Sequence, residues 1–341
     1  IRKRCENEVL GYTGKPDSYY NAIINWVKQR YDLVVAKEMI NFVPGIVPGI
    51  GMAMNCFTQK GDKVMIQPPV YHPFAWVTTR NERTLVTNPL KWENGMYRMD
   101  LDTFREQIKG CKLFILCNPH NPGGVVWTEA ELRAIADICY DEKVLVFSDE
   151  IHADLTLPPH THRPFATVSE KARMNSVTFM SPSKAFNMPG LSASHALIFN
   201  EDLRKRFRIY MDAGELDMGH VFAFLSVEAA YSHGTEWLDQ CLAYIQGNID
   251  FVDDFLKNHA PKIKAIRPGA SYLVWLDCRE LKLSQKDLNE FFVDKAHLAL
   301  NDGEMFGKEG IGFMRLNVAS PRCIIEKAMK QLADAYQLYI K

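Results

Sequence analysis

Short apolar runs rich in Val, Ile and Phe recur along the first part of the chain: "KVMIQ", "TLVTN", "KLFILCN", "VLVFSDE", "SVTFMS" and "SHALIFN". Their length and the turn residues around them predict interior strands. Between them the pattern shifts to a helical period, most clearly in "TEAELRAIADICYDEK". There Leu132, Ile135, Ala136 and Cys139 fall on one face, and Thr128 with Glu131 predicts a capping box. Strand and helix in alternation predict an α/β fold with a mostly parallel sheet. From Glu201 the texture turns helical, through "EDLRKRFRIYMDAG", "GHVFAFLSVEAAYSHG" and "TEWLDQCLAYIQGNIDFVDDFLKNHA". The last of these is long enough to bridge two domains. Beyond Pro261, "KIKAIRP", "SYLVWLDC", a helix near 284–296, "GFMRLNV" and a closing helix from Pro321 predict a smaller α+β domain. The expected division is a large domain over 1–235, and a linking helix with a small C-terminal domain over 236–341.

Composition narrows the classes. At 341 residues the chain is too long for one compact core, and its 47% hydrophobic and 24% charged residues suit a soluble globular protein. Lys+Arg 40 against Asp+Glu 41 leaves a net charge of -1. That balance lacks the electrostatic footprint of a nucleic-acid or anionic-membrane binder. No apolar run reaches membrane-spanning length, and "IRKRCENEVLGYTG" lacks the apolar core of a signal peptide. The chain opens on Ile1, so it is expected to begin partway into the natural protein. Its 8 cysteines form no C-x-x-C and several lie in apolar runs, which predicts free thiols in a reducing, cytoplasmic setting.

The candidate chemistry gathers where strands end. Lys184, in "SPSKAFNMPG", follows the strand "NSVTFM", at the sheet edge where open α/β folds place their ligands. It is either a surface cation or a working amine. Asp149 and Glu150 end "VLVFSDE" at the same edge; a helix N-cap is the alternative reading. A lysine and an aspartate at opposite ends of one planar ligand suit pyridoxal phosphate (PLP), which needs an amine for its aldehyde and a carboxylate for its ring nitrogen. "LCNPHNPGGVV" brings Asn121 to a third strand end, as a plain Pro/Gly turn or as an amide donor to the ring oxygen. For phosphate, Ser181 and Ser183 offer hydroxyls, and "FVPGIVPGIGMAMNCF" offers a glycine turn before an apolar helix whose free N–H groups favour an anion. Its glycines at 45, 49 and 51 do not spell a dinucleotide fingerprint. Tyr71, in "PPVYHPF", is placed to stack on a flat ring or to pack as core.

Taken together, "YHPF", "NPHNPGG", "SDEIHADL", "SPSKAFNMPGL" and "GFMRLNV" resemble the fold-type I PLP enzymes of the aspartate aminotransferase superfamily, and within it the MalY/PatB-type cystathionine β-lyases. The resemblance runs from "GYTG" to the final helix. It implies a seven-stranded, mostly parallel sheet sandwiched by helices, PLP as cofactor, and a homodimer with shared active sites acting on small amino acids. It makes Lys184 the Schiff-base lysine, Asp149 the partner of the ring nitrogen, Asn121 the donor to the ring oxygen and Tyr71 the stacking ring. Ser181, Ser183, Ile46 and Val47 would bind phosphate, and Arg315 would grip the substrate carboxylate. Tyr12 would reach the neighbouring subunit's phosphate. Two departures from typical aminotransferases stand out: Ser192 replaces the usual phosphate arginine, and His152 replaces a tyrosine at the ring oxygen. The β-lyase subgroup shares both. The implied reaction is cleavage of a Cβ–S bond to thiol, pyruvate and ammonia. An aminotransferase, and a regulatory protein that kept the fold, remain as alternatives.

Overall fold

A computed structural model describes residues 1–340. The first part of the chain carries β1 (Ile40–Val43), β2 (Lys63–Ile66), β3 (Thr84–Thr87), β4 (Lys91–Glu93), β5 (Met96–Arg98), β6 (Cys111–Cys117), β7 (Leu145–Asp149), β8 (Ser176–Met180) and β9 (Ser194–Leu197). Seven of these form one sheet in the order β1-β9-β8-β7-β6-β2-β3. β9 runs against both β1 and β8, while β8, β7, β6, β2 and β3 pair in parallel. The predicted α/β fold, with its mostly parallel seven-stranded sheet, is the one observed.

Strand alternation decides which layer each side chain meets. Leu113, Ile115, Cys117, Phe147, Val177 and Phe179 belong to one apolar cluster, with Ile50, Ala53 and Met54 of the helix Ile46–Phe57. Phe114, Leu116 and Val146 belong to another, with Leu132, Ile135 and Cys139 of the helix Glu129–Asp141. A sheet covered on both faces explains strands that read as continuous apolar runs. By the same parity Asp149 follows Phe147 onto the first face, and Ser148 with Glu150 follows Val146 onto the second. The helix Glu129–Asp141 carries the predicted capping box: Thr128 Oγ1 accepts from Glu131 N at 3.2 Å, and Glu131 Oε2 accepts from Thr128 N at 2.8 Å.

A second, antiparallel sheet follows, of β10 (Lys264–Ile266), β11 (Leu273–Asp277), β12 (Asn301–Asp302) and β13 (Phe313–Asn317), in the order β10-β11-β13-β12. The long helix Thr235–His259 and the closing helix Arg322–Ile340 pack together beside it. Trp275 of β11 stacks on Phe313 and donates from Nε1 to Tyr97 Oη at 3.2 Å, tying this sheet to the β4–β5 hairpin.

The apolar pattern does not announce β1, β4 or β5. β1 is four residues long, buried throughout and closed at once by Pro44-Gly45, so no alternation develops. The hairpin does carry a local signal, Asn94-Gly95, both at positive φ (50° and 79°), which is the turn chemistry a tight hairpin requires.

Candidate active site

β6, β7 and β8 end side by side, so the segments that follow them open onto one cavity of about 490 Å³. Its walls include Asp149, Lys184, Asn121, Tyr71, His152, Ser183, Ile46, Val47 and Arg315. Nearly all the residues singled out from sequence thus meet in one place.

Asp149 is buried, and its Oδ1 accepts the Ile151 N–H at 3.1 Å. Loss of solvent pushes its carboxyl up to about 7; the neighbouring Glu150 pushes the same way, against the Ile151 hydrogen bond and the Lys184 ammonium. Such a carboxylate gains much from a protonated ring nitrogen. Lys184 is half-buried on the same wall and makes no ion pair among the described residues.

The helix Ile46–Phe57 begins at this cavity. Gly45 is its N-cap at φ 136°, with no side chain capping the first turn. The Ile46 and Val47 N–H groups are therefore without intrahelical partners beside the cavity, an arrangement suited to an anion. Ser183, Ser192 and Ser194 line the same region.

Ser181 is placed differently. Its hydroxyl donates to the Ala193 carbonyl at 2.7 Å and accepts from Ser183 N at 3.1 Å, so it braces the loop rather than facing the cavity. Tyr12, 97% exposed on the N-terminal segment, lies outside this chain's cavity.

Arg315 projects from β13. Nη1 donates to Asn121 Oδ1 at 2.9 Å, Nη2 to Asn301 Oδ1 at 2.8 Å, and the guanidinium stands 4.6 Å from the Phe306 ring centre. Nε is buried without a partner, and no acidic side chain pairs with Arg315 among the described residues. Burial pulls its pKa down to about 10. A carboxylate is the ligand this group lacks. Because Asn121 turns its oxygen to Arg315, its amide nitrogen remains available as a donor.

His152 is buried, with its Nδ1 unpartnered and its ring edge-on to Tyr272. Desolvation, then Lys184 and Arg315, lower its pKa to about 3. It is neutral at physiological pH and supplies no positive charge. The cavity also includes His72, Cys117, Tyr272, Asn301 and Asn317, which sequence reasoning missed. Asn301 is the cross-strand partner of Arg315, yet β12 has only two residues and shows no periodicity. Tyr272 precedes β11 and reads as ordinary strand aromatic.

An amine, a buried carboxylate, an open helix N-terminus and a carboxylate-seeking arginine around one cavity define a fold-type I PLP-dependent enzyme, and the donors present fit that coenzyme. The chain belongs to the aminotransferase class I and II family, whose model matches residues 5–332. It is 37% identical to cystathionine β-lyase PatB of Bacillus subtilis over 98% of this chain and 87% of the relative. A PLP-bound structure from Clostridium difficile 630, provisionally described as an aminotransferase, matches with 40% identity and TM-score 0.96, covering 98% of this chain and 87% of that one. The PLP-bound C-S lyase of Staphylococcus hominis matches with 33% identity and TM-score 0.91, covering 98% and 88%.

Proposed function

We propose that this protein is a PLP-dependent C–S β-lyase, cleaving cystathionine or related cysteine S-conjugates to a thiol, pyruvate and ammonia. The observation that carries it is that Lys184, Asp149 and an Arg315 free of acidic partners face one cavity, in a chain 37% identical to a cystathionine β-lyase along nearly its whole length. PLP, when bound, supplies an electron sink that makes a substrate Cα proton removable. In this reading Asp149 holds a proton on the ring nitrogen, Asn121 donates to the ring oxygen and Tyr71 covers one ring face. Ile46 N–H, Val47 N–H and Ser183 bind the phosphate, with Ser181 bracing their loop. His152, uncharged, packs beside the ring.

Arg315 engages the substrate α-carboxylate and so aims the Cα–H bond at Lys184. Lys184 would tether the coenzyme until the substrate amine takes its place there, and the lysine amine so freed would then take the Cα proton. The Cβ–S bond breaks with its electron pair leaving on sulfur, and the thiolate takes up a proton. Water then hydrolyses the remaining three-carbon fragment to pyruvate and ammonia. A thiolate leaves readily, so one amine base is enough for the elimination.

The same proposal includes a homodimer, in which the exposed Tyr12 reaches its partner's phosphate site, a functional division at 235/236, and a cytoplasmic setting suited to eight free thiols. No helix among the described residues is long and apolar enough to cross a membrane.

The deciding experiment supplies L-cystathionine and PLP without any keto acid. Stoichiometric thiol and pyruvate are expected, together with loss of both and of the coenzyme's visible absorbance band in Lys184→Ala. An absolute requirement for a keto acid, with no accumulated pyruvate, would instead make the protein an aminotransferase.

A further inference from the structure

Directly behind Asp149, on the opposite face of the sheet, lies a buried ionisable pair that the chemistry above does not use. Glu150 and His162 are both almost wholly enclosed, and neither lines the cavity. Glu150 Oε2 lies 2.7 Å from His162 Nε2. Its Oε1 accepts from Ser148 Oγ and from Phe165 N, each at 2.8 Å. A carboxylate with three donors, taken out of water, is costly to install and costly to disturb. Simple packing of the 157–168 loop would need only apolar contacts.

The loop that supplies His162 and Phe165 also reaches the next strand. Arg163 O accepts from Asn118 Nδ2 at 3.1 Å, and Asn118 N donates to Asp149 O at 2.9 Å. Glu150 N in turn donates to Phe179 O of β8 at 2.9 Å. The bonds close a circuit from Asp149 through Asn118, Arg163, His162 and Phe165 to Glu150 and back along the chain to Asp149. Asn118 stands three residues before Asn121, so the circuit grips the backbone beside both residues read as touching the ring.

We propose that Glu150 and His162 form a positioning pair that locks the ends of β6 and β7 so that Asp149 and Asn121 meet the coenzyme ring at fixed spacing. This rests on the reading of Asp149 as the ring-nitrogen partner. Residues that orient a ligand's direct contacts typically change affinity tenfold or more when removed, whereas packing residues change stability without selecting for the ligand.

The test titrates the apoproteins of Glu150→Ala, Glu150→Gln, His162→Leu and Asp149→Asn with PLP, following coenzyme absorbance, and records the melting temperature of each apoprotein. Glu150→Ala and His162→Leu are expected to raise the PLP dissociation constant by about tenfold or more. Glu150→Gln keeps the oxygen that Ser148 and Phe165 use and turns its amide to His162 in the other tautomer; it is expected to restore affinity to within about threefold of wild type. Should Glu150→Ala not fold, His162→Leu carries the same comparison. If both bind PLP as wild type does, whatever their melting temperatures, while Asp149→Asn binds weakly, the positioning role is wrong and the reading of Asp149 stands. If Asp149→Asn binds as tightly as wild type, that reading fails and this proposal with it.

Discussion

Arg315 answers to two neutral amide oxygens and an aromatic face, and burial has already lowered its proton affinity. A bidentate carboxylate contact to such a group is worth about 2–3 kcal/mol, so Arg315→Lys is expected to lower kcat/KM for the amino acid by roughly a hundredfold. Most of that loss should appear in KM, by steady-state kinetics. Asp149 makes the opposite kind of prediction, in the protein without coenzyme. Its folded pKa of about 7 lies above the unfolded value near 3.8. Between those pH values the unfolded chain has shed a proton that the folded chain keeps, so this group's contribution to stability falls as pH rises through the window and stays low above it. Asp149→Asn removes the effect. Its apoprotein should therefore melt higher than wild-type apoprotein at pH 8 and with a smaller difference at pH 5, by differential scanning fluorimetry.

Among the elements, the helix Ile46–Phe57 depends most on a single position. Gly45 holds φ 136°, which an L side chain adopts only under strain, and a Cβ there would stand 3.3 Å from Pro48 Cδ. Gly45→Ala is expected to cost about 1–3 kcal/mol and to tilt the first turn away from the anion site. Its checks are a lower melting temperature and weaker PLP binding. The strands that end at the cavity were legible in the sequence because burial on both faces leaves an uninterrupted apolar signature, and Thr128 with Glu131 marked its helix start. Strand direction was not legible: nothing in "SHALIFN" distinguishes a strand running against its neighbours from one running with them. Nor did the pattern separate Ser181 from Ser183, since which hydroxyl turns inward depends on a carbonyl twelve residues on, that of Ala193.

For the molecule as a whole, His120, His152 and His195 are buried and held neutral, with pKa values lowered to about 4, 3 and 3 by desolvation above all. Below pH 6.5 the unfolded chain binds protons that these rings refuse, so stability is lost as pH falls from 6.5 toward 4. Three such groups outweigh the opposing trend of Asp149. The melting temperature should drop over that range, and His195→Leu, which removes two unpartnered buried nitrogens, should soften the drop at no cost to stability near neutrality. Contacts from the four-stranded sheet to the first part of the chain, such as Arg315 with Asn121 after β6 and Trp275 with Tyr97 of the β4–β5 hairpin, escaped the sequence because their partners lie far apart along the chain. The first of these has a consequence for selectivity. In the resting molecule an uncharged amide serves as a placeholder for the ligand's negative group: it keeps the guanidinium extended into the cleft, yet surrenders it to any carboxylate that forms the stronger, charged bond. Amines without an acid beside them have nothing to offer in that exchange and should be turned away.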